Sequence, residues 1–170
     1  MTSPTPMGAV RHDADKPPLH WLSHAQFAAM LPHRAGRPDW VYAALNALAI
    51  IEGGANDHDR LQGLRTCLQH TPEFGCAPVS RVFAFGAQKY AAWNWTKGMA
   101  WSRIVGSARR HLLAYAQGED NDAESGLPHS AHIGCNLAML YHYALYRVGT
   151  DDLFRLHVVS STPLTQQENT

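Results

Sequence analysis

Apolar residues recur along most of this chain at helical spacing. From Arg103 to Gln117, Ile104, Ala108, Leu112 and Tyr115 repeat at intervals of 4, 4 and 3, which is one stripe of a helix. Gly118 stands where a C-terminal cap belongs. Pro128 opens a second long helix, in which Ile133, Leu137, Leu140, Ala144 and Val148 repeat at 4, 3, 4 and 4 until Gly149 ends it. The connection GEDNDAESG, 118–126, is nine residues long. A link that short makes the two helices antiparallel neighbours.

The pattern upstream is similar. Pro38-Asp39 followed by WVYAALNALAIIEGG reads as a helix stopped at Gly53-Gly54. Asn56 is placed to cap another, running through Leu61, Leu64, Arg65 and Leu68. TPEFGCAP is punctuation, and Pro78 opens a third helix through Val82, Phe83, Gly86 and Tyr90. WNWTKG, 93–98, reads as a loop rich in aromatic and polar groups. Alternating β-branched runs are nearly absent until HVVSST at 157–162, so the expected fold class is all-α. The most apolar stretch, Trp40 to Ile51, is interrupted by Asn46. It is shorter than the roughly 20 residues a bilayer requires, so no membrane partner is expected.

Composition narrows the function. The chain has 170 residues, a single-domain length (1–170), and 45% hydrophobic residues, enough for a core. Lys plus Arg is 14 and Asp plus Glu is 14, so 14 − 14 gives zero net charge. That excludes a generally basic nucleic-acid coat and a polyacidic disordered chain, and no nucleic acid polymer is expected as partner. Charged residues are only 16%, yet there are 11 His, the side chain that titrates near neutrality and binds metals. Cys67, Cys76 and Cys135 form no Cys-x-x-Cys, and the N-terminal MTSPTPMGAV has no apolar signal region. Both point to a cytoplasmic protein, in the host cytoplasm if the chain is phage-encoded.

The chemistry concentrates around one helix pair. Glu119, Asp120, Asp122 and Glu124 lie within six positions. Such carboxylates repel unless a cation sits among them. An EF-hand is excluded, because counted from Asp120 the turn glycine would fall on Ser125 and the bidentate Glu on Ala131. His129, His132 and Asn136 share a stripe at the edge of the last helix's apolar face, and His111 points to the core side of the preceding helix. Neither HExxH nor a Cys/His zinc pattern occurs. Lys89, Lys97, Arg103, Arg109 and Arg110 accompany Tyr90, Trp93, Trp95 and Trp101. Cations neutralise phosphate and aromatic faces stack on bases. The combination suggests a nucleotide polyphosphate bridged by metal and held by side chains, since no GxGxxG or Walker pattern is present.

Residues 85–140 resemble the phage dATP/dGTP diphosphohydrolase family, the MazZ-like group related to the all-α MazG/HisE NTP pyrophosphatases. The resemblance lies in Gly86-Ala87-x-Lys89-Tyr90, Asn94-Trp95-x-x-Gly98, Arg110-His111-Leu112 and the stretch from Gly118-Glu119-Asp120 through Glu124-Ser125-Gly126-Leu127-Pro128-His129-x-x-His132. Arg11-His12-Asp13-Ala14-Asp15-Lys16-Pro17 is similar to the family's opening motif, with Asp15 where Gly is usual. Two departures stand out. Residues from about 32 to 77 look like a helical insertion, with its role open between subunit contact, a lid over the base and scaffold. The ExxE and ExxD pairs of MazG-type enzymes are absent in literal form, with His111, His129 and His132 where carboxylates would be expected.

The resemblance implies a MazG-like helical bundle completed by oligomerisation, as a homo-oligomer (dimer or tetramer). It implies hydrolysis of a purine (deoxy)nucleoside triphosphate, dGTP or GTP foremost, to the monophosphate and pyrophosphate. Glu119, Asp122 and Glu124 are then the expected catalytic and metal-binding carboxylates, with His111, His129 and His132 as ligands or orienters. Lys16, Lys89, Arg109 and Arg110 are the expected phosphate contacts, and Asn94 and Trp95 the nucleotide contacts. Oxygen-rich ligation favours Mg²⁺, and imidazole makes Mn²⁺ a good substitute. Two other readings remain: an HD-type phosphohydrolase, for which His12-Asp13 and His58-Asp59 are the available dipeptides, and a non-catalytic nucleotide-binding helical module. The apolar surface of residues 38–69 exceeds what a small core would absorb, so those helices are expected at a subunit interface.

Overall fold

The computed structural model describes residues 15–53 and 56–155. Among them are α1 (His24–Met30), α2 (Asp39–Glu52), α3 (Asp57–His70), α4 (Cys76–Tyr90), α5 (Trp101–Ala116) and α6 (His129–Tyr146), with 3-10 turns at Leu19–Trp21, Pro72–Phe74 and Asn94–Lys97. No strand occurs among the described residues beyond isolated bridges, Ala100 with Thr150 and Asn121 with Pro128. The fold is all-α, as the helical spacing predicts. The possible strand at 157–162 and the motif residues 11–14 lie outside the described residues. No described helix is long and apolar enough to cross a membrane.

Helix α6 is the hub, packing against α5, α3, α4 and α2. Ile133, Leu137, Leu140 and Tyr143 are buried against Ile104, Val105, Ala108 and Leu112 of α5. The pair is antiparallel. His111 meets His129, Ser107 meets Asn136, and Trp101 donates to the carbonyl of Val148, so one number falls as the other rises. Gly134 lets a second layer approach, because a Cβ there would lie 2.9 Å from the backbone of Phe74 and from Val79.

Two boundaries shift from their expected places, each for a local reason. Helix α4 starts at Cys76 behind Gly75, which places Pro78 in the first turn, where its missing N–H costs nothing. Helix α6 ends at Tyr146 with Arg147 in the left-handed conformation (φ 54). Gly149 (φ 73) serves a different purpose, since a Cβ there would fall 2.2 Å from the carbonyl oxygen of Met99. That close crossing lets 150–152 cap α5. Trp101 N–H donates to Thr150 (2.9 Å), and Asp152 accepts from the N–H and hydroxyl of Ser102 (2.9 and 2.6 Å). The carboxylate also complements the positive end of the helix.

The 32–77 region is part of this core. Val41, Ala44, Leu48 and Ile51 of α2 and Leu64 of α3 are almost fully buried within the single chain. These helices therefore contribute directly to the core of the single chain. Their apolar stripe is covered by α6 and by each other.

Arg109 also departs from expectation. It is wholly buried, donating to the carbonyls of Leu19 (2.9 Å) and Leu22 (2.6 Å) and in a fork to both oxygens of Glu52 (2.8 and 2.7 Å). It ties the N-terminal turn to α2 and is not a phosphate contact. His24 stands beside this pair, its Nδ1 buried and 3.7 Å from Glu52. Burial first, and the charge of Arg109 second, hold the His24 imidazole below its ordinary value. The unfolded chain then takes up a proton near pH 6.5 that the folded chain resists. This contribution is complete above that pH and is lost as pH falls towards the folded value. The melting temperature of metal-free protein should drop from pH 7.5 to 5.5, and more steeply than that of His24→Gln. Equal slopes in a thermal-denaturation series would remove His24 from the account.

Candidate functional site

The chain between α5 and α6 folds around one carboxylate. Asp122 N–H donates to Leu127 (2.9 Å), Gly126 N–H donates to Asp122 (2.8 Å) and His129 N–H donates to Asp120 (3.1 Å). The side chain of Asp122 accepts from Ser125 twice, from its N–H and its hydroxyl, both at 2.9 Å. Gly126 at φ 69 allows the reversal that such a tight loop demands. From outside, Arg34 clamps the loop, donating to Tyr115 O (3.0 Å) and Asp120 (2.7 Å) with its guanidinium over the Tyr115 ring. Asp120 is thus held by a cation of the protein itself. Sequence reasoning missed Arg34, whose partners lie more than eighty positions away.

Three imidazoles converge beneath Asp122. The Nδ1 atoms of His111 and His129 are 2.9 Å apart, and the rings of His111 and His132 stack at 4.4 Å and 15°. His132 Nε2 lies 2.7 Å from the Ser125 hydroxyl and 3.8 Å from Asp122. His129 is 2% exposed, and its Nε2 is buried without a hydrogen-bond partner, 3.7 Å from Glu119. Burial lowers the affinity of His129 for a proton, against the opposing pull of Asp122, Glu119 and Asp120. Burial acts to raise Asp122, but the Ser125 bonds and the neighbouring His132 and His111 bring it below the ordinary carboxylate value. Both shifts favour the bare imidazole of His129 and the carboxylate of Asp122, the forms that bind metal.

His111, Asp122 and His129 each offer one donor atom, all within 4.8 Å of one another. Donors bound at 2.0–2.2 Å around one ion sit up to about 4.4 Å apart, so small side-chain adjustments close the set. The orphaned Nε2 of His129 and the mixed nitrogen and oxygen donors fit a divalent cation. Of the other expected ligands, Glu119 stands at the edge beside His129. Glu124 forms an ion pair with Lys89, whose proton affinity that hydrogen bond raises.

The cluster opens into a cavity of about 750 Å³. Lys16, Lys89, Arg110, Asn94, Trp95, Glu119, Asp122 and Glu124 line it together with the three His. Of the expected site residues, Arg109 is the one it does not include. Lining by Phe83 and Met139 was not expected, and Trp93 of the aromatic segment joins them. Along α6 the wall runs from His129 to Met139, ten residues or about 15 Å at 1.5 Å per residue. The cavity is thus polar and metal-ready at one stretch of α6 and aromatic at the next. Phe83 and Trp95 lie 5.1 Å apart near His142. Of the HD dipeptides, His58-Asp59 sits in the first turn of α3, outside this lining, and His12-Asp13 lies outside the described residues.

A family model described as "dATP/dGTP diphosphohydrolase, N-terminal" matches residues 65–153. A dATP/dGTP diphosphohydrolase of Salmonella phage PMBT28 is 36% identical over 74 residues, which is 44% of this chain and 25% of that protein. The similarity therefore spans about a quarter of the curated relative's length. No solved structure matches. The matched region contains all of α4, α5 and α6 and every cavity-lining residue named above except Lys16.

Proposed function

The chain belongs to the dATP/dGTP diphosphohydrolase family, whose N-terminal model its residues 65–153 match, and from that premise we propose that it hydrolyses a purine (deoxy)nucleoside triphosphate to the monophosphate and pyrophosphate, with dGTP or GTP preferred. The observation that supports this most is the make-up of this one cavity: a His–Asp–His cluster and cations along one stretch, aromatic rings along the next. A length of about 15 Å suits an extended nucleoside triphosphate.

In this reading water attacks the α-phosphorus, the bond from that phosphorus to the bridging oxygen breaks, and pyrophosphate leaves. Lys89 and Arg110 face the phosphates from α4 and α5, and Lys16 approaches from the N-terminal segment. Glu119 or Glu124 would accept the proton of the attacking water, Glu124 once the phosphates compete for Lys89. Asp122, His111 and His129 would hold the cation. A divalent ion there supplies neutralisation of charge on the phosphate oxygens. Two imidazoles with one carboxylate shift the preference from Mg²⁺ towards Mn²⁺.

The test is a panel of nucleoside triphosphates with Mn²⁺ or Mg²⁺, with the products separated by chromatography. Nucleoside or deoxynucleoside monophosphate with pyrophosphate is expected, abolished by chelator and restored by Mn²⁺. Triphosphate or orthophosphate as product would transfer the chain to HD-type chemistry. Full turnover in excess chelator would sink the metal assignment. Tight nucleotide binding without turnover would leave a binding module.

A further inference from the structure

The loop after α4 holds two non-glycine residues at positive φ, two positions apart. Ala91 has φ 90 and ψ 152, a region nearly reserved for glycine, and Trp93 has φ 60 and ψ 12. The segment is pinned there. Ala91 N–H donates to Ala87, and the Trp93 carbonyl accepts from both the N–H (3.0 Å) and the hydroxyl (2.7 Å) of Thr96. The outcome is an indole that lines the cavity yet is 72% exposed. Backbone strain and a large apolar ring left in water are both unfavourable, and they occur together at the mouth of the site.

Trp95 differs. It is half-buried, packed edge-on against His142 and against Phe83, 6.3 Å from Trp93. Its ring is wall, whereas the Trp93 ring has a face to offer.

We propose that Trp93 is the stacking platform for the purine, held over the cavity mouth by the strained Ala91–Trp93 backbone. The inference rests on the nucleotide reading above and adds a base-binding residue outside the Asn94-Trp95-x-x-Gly98 motif. Loss of a base–aromatic stack weakens binding by about tenfold.

Two probes that are not hydrolysed test it in Mn²⁺ buffer: dGMP and 2-deoxyribose 5-phosphate, which lacks only the base. Trp93→Ala should weaken dGMP about tenfold, leave the sugar phosphate unchanged, and be largely rescued by Trp93→Phe. Ala91→Gly should raise the melting temperature by relieving the backbone. Wild-type affinity for dGMP in Trp93→Ala, equal losses for both probes, or no dGMP binding by the wild type overturns the proposal. An unchanged or lower melting temperature in Ala91→Gly overturns its strained-backbone part. Sound dGMP binding without turnover of any triphosphate would instead sink the hydrolase reading and leave the platform standing.

Discussion

Asp122→Asn should lower kcat/KM by about 10²-fold or more while leaving the fold intact, the scale of losing a group that acts on the transition state. Structure and chemistry separate cleanly at this residue. Its structural task is to accept from the Ser125 N–H and hydroxyl, and the amide oxygen of Asn still accepts both, only more weakly. Its chemical task needs negative charge beside His111 and His129, and the amide has none. Two measurements therefore diverge. The melting temperature of metal-free protein stays close to wild type, and the stabilisation on adding Mn²⁺ disappears. Turnover within tenfold of wild type would show that the His–Asp–His cluster is not where the phosphates react. Glu124→Gln makes a contrast. Its carboxylate is engaged by Lys89, so this variant should change the affinity for phosphate through the freed cation as well as the rate.

Much of the site was legible because helices make spacing into geometry. Ile104, Ala108 and Leu112 fixed the buried face of α5, and the short acidic connection set α6 beside it. His111, His129 and His132 then had to meet. What spacing alone left unread was contact between distant segments. Arg109 and Arg110 are neighbours in sequence, but 100° apart on the helix, which sends one into the core and the other to the cavity. Only the position of Glu52, on α2, decides which is the strut. Short α1 was missed for a different reason. Seven residues show no periodic stripe, and its Ser23–Gln26 capping box precedes no long apolar run. The 38–69 helices looked surplus because the core was judged from two helices, whereas α6 buries apolar residues on several sides.

Glu52→Gln should cost about 3 kcal/mol of stability or more, because it leaves a buried guanidinium without its counter-charge. Arg109 is fully buried and the Glu52 side chain is 10% exposed, so water cannot readily take the carboxylate's place. Burial holds the Glu52 carboxyl above its ordinary value, and the charge and fork of Arg109 oppose that without cancelling it. That attraction is gained only while both partners stay. The bonds from Arg109 to Leu19 and Leu22 survive in this variant, so the N-terminal turn that leads back to Lys16 stays docked and KM should hold near wild type. Arg109→Met removes those bonds as well. It should unfold more easily still, and any folded fraction should show a raised KM as Lys16 loses its anchor. Urea denaturation reads the first effect, and steady-state kinetics below the melting temperature read the second. A loss under about 1 kcal/mol for Glu52→Gln would place the pair among exposed salt bridges, whose worth is small. An unchanged KM in folded Arg109→Met would detach Lys16 from the phosphate site.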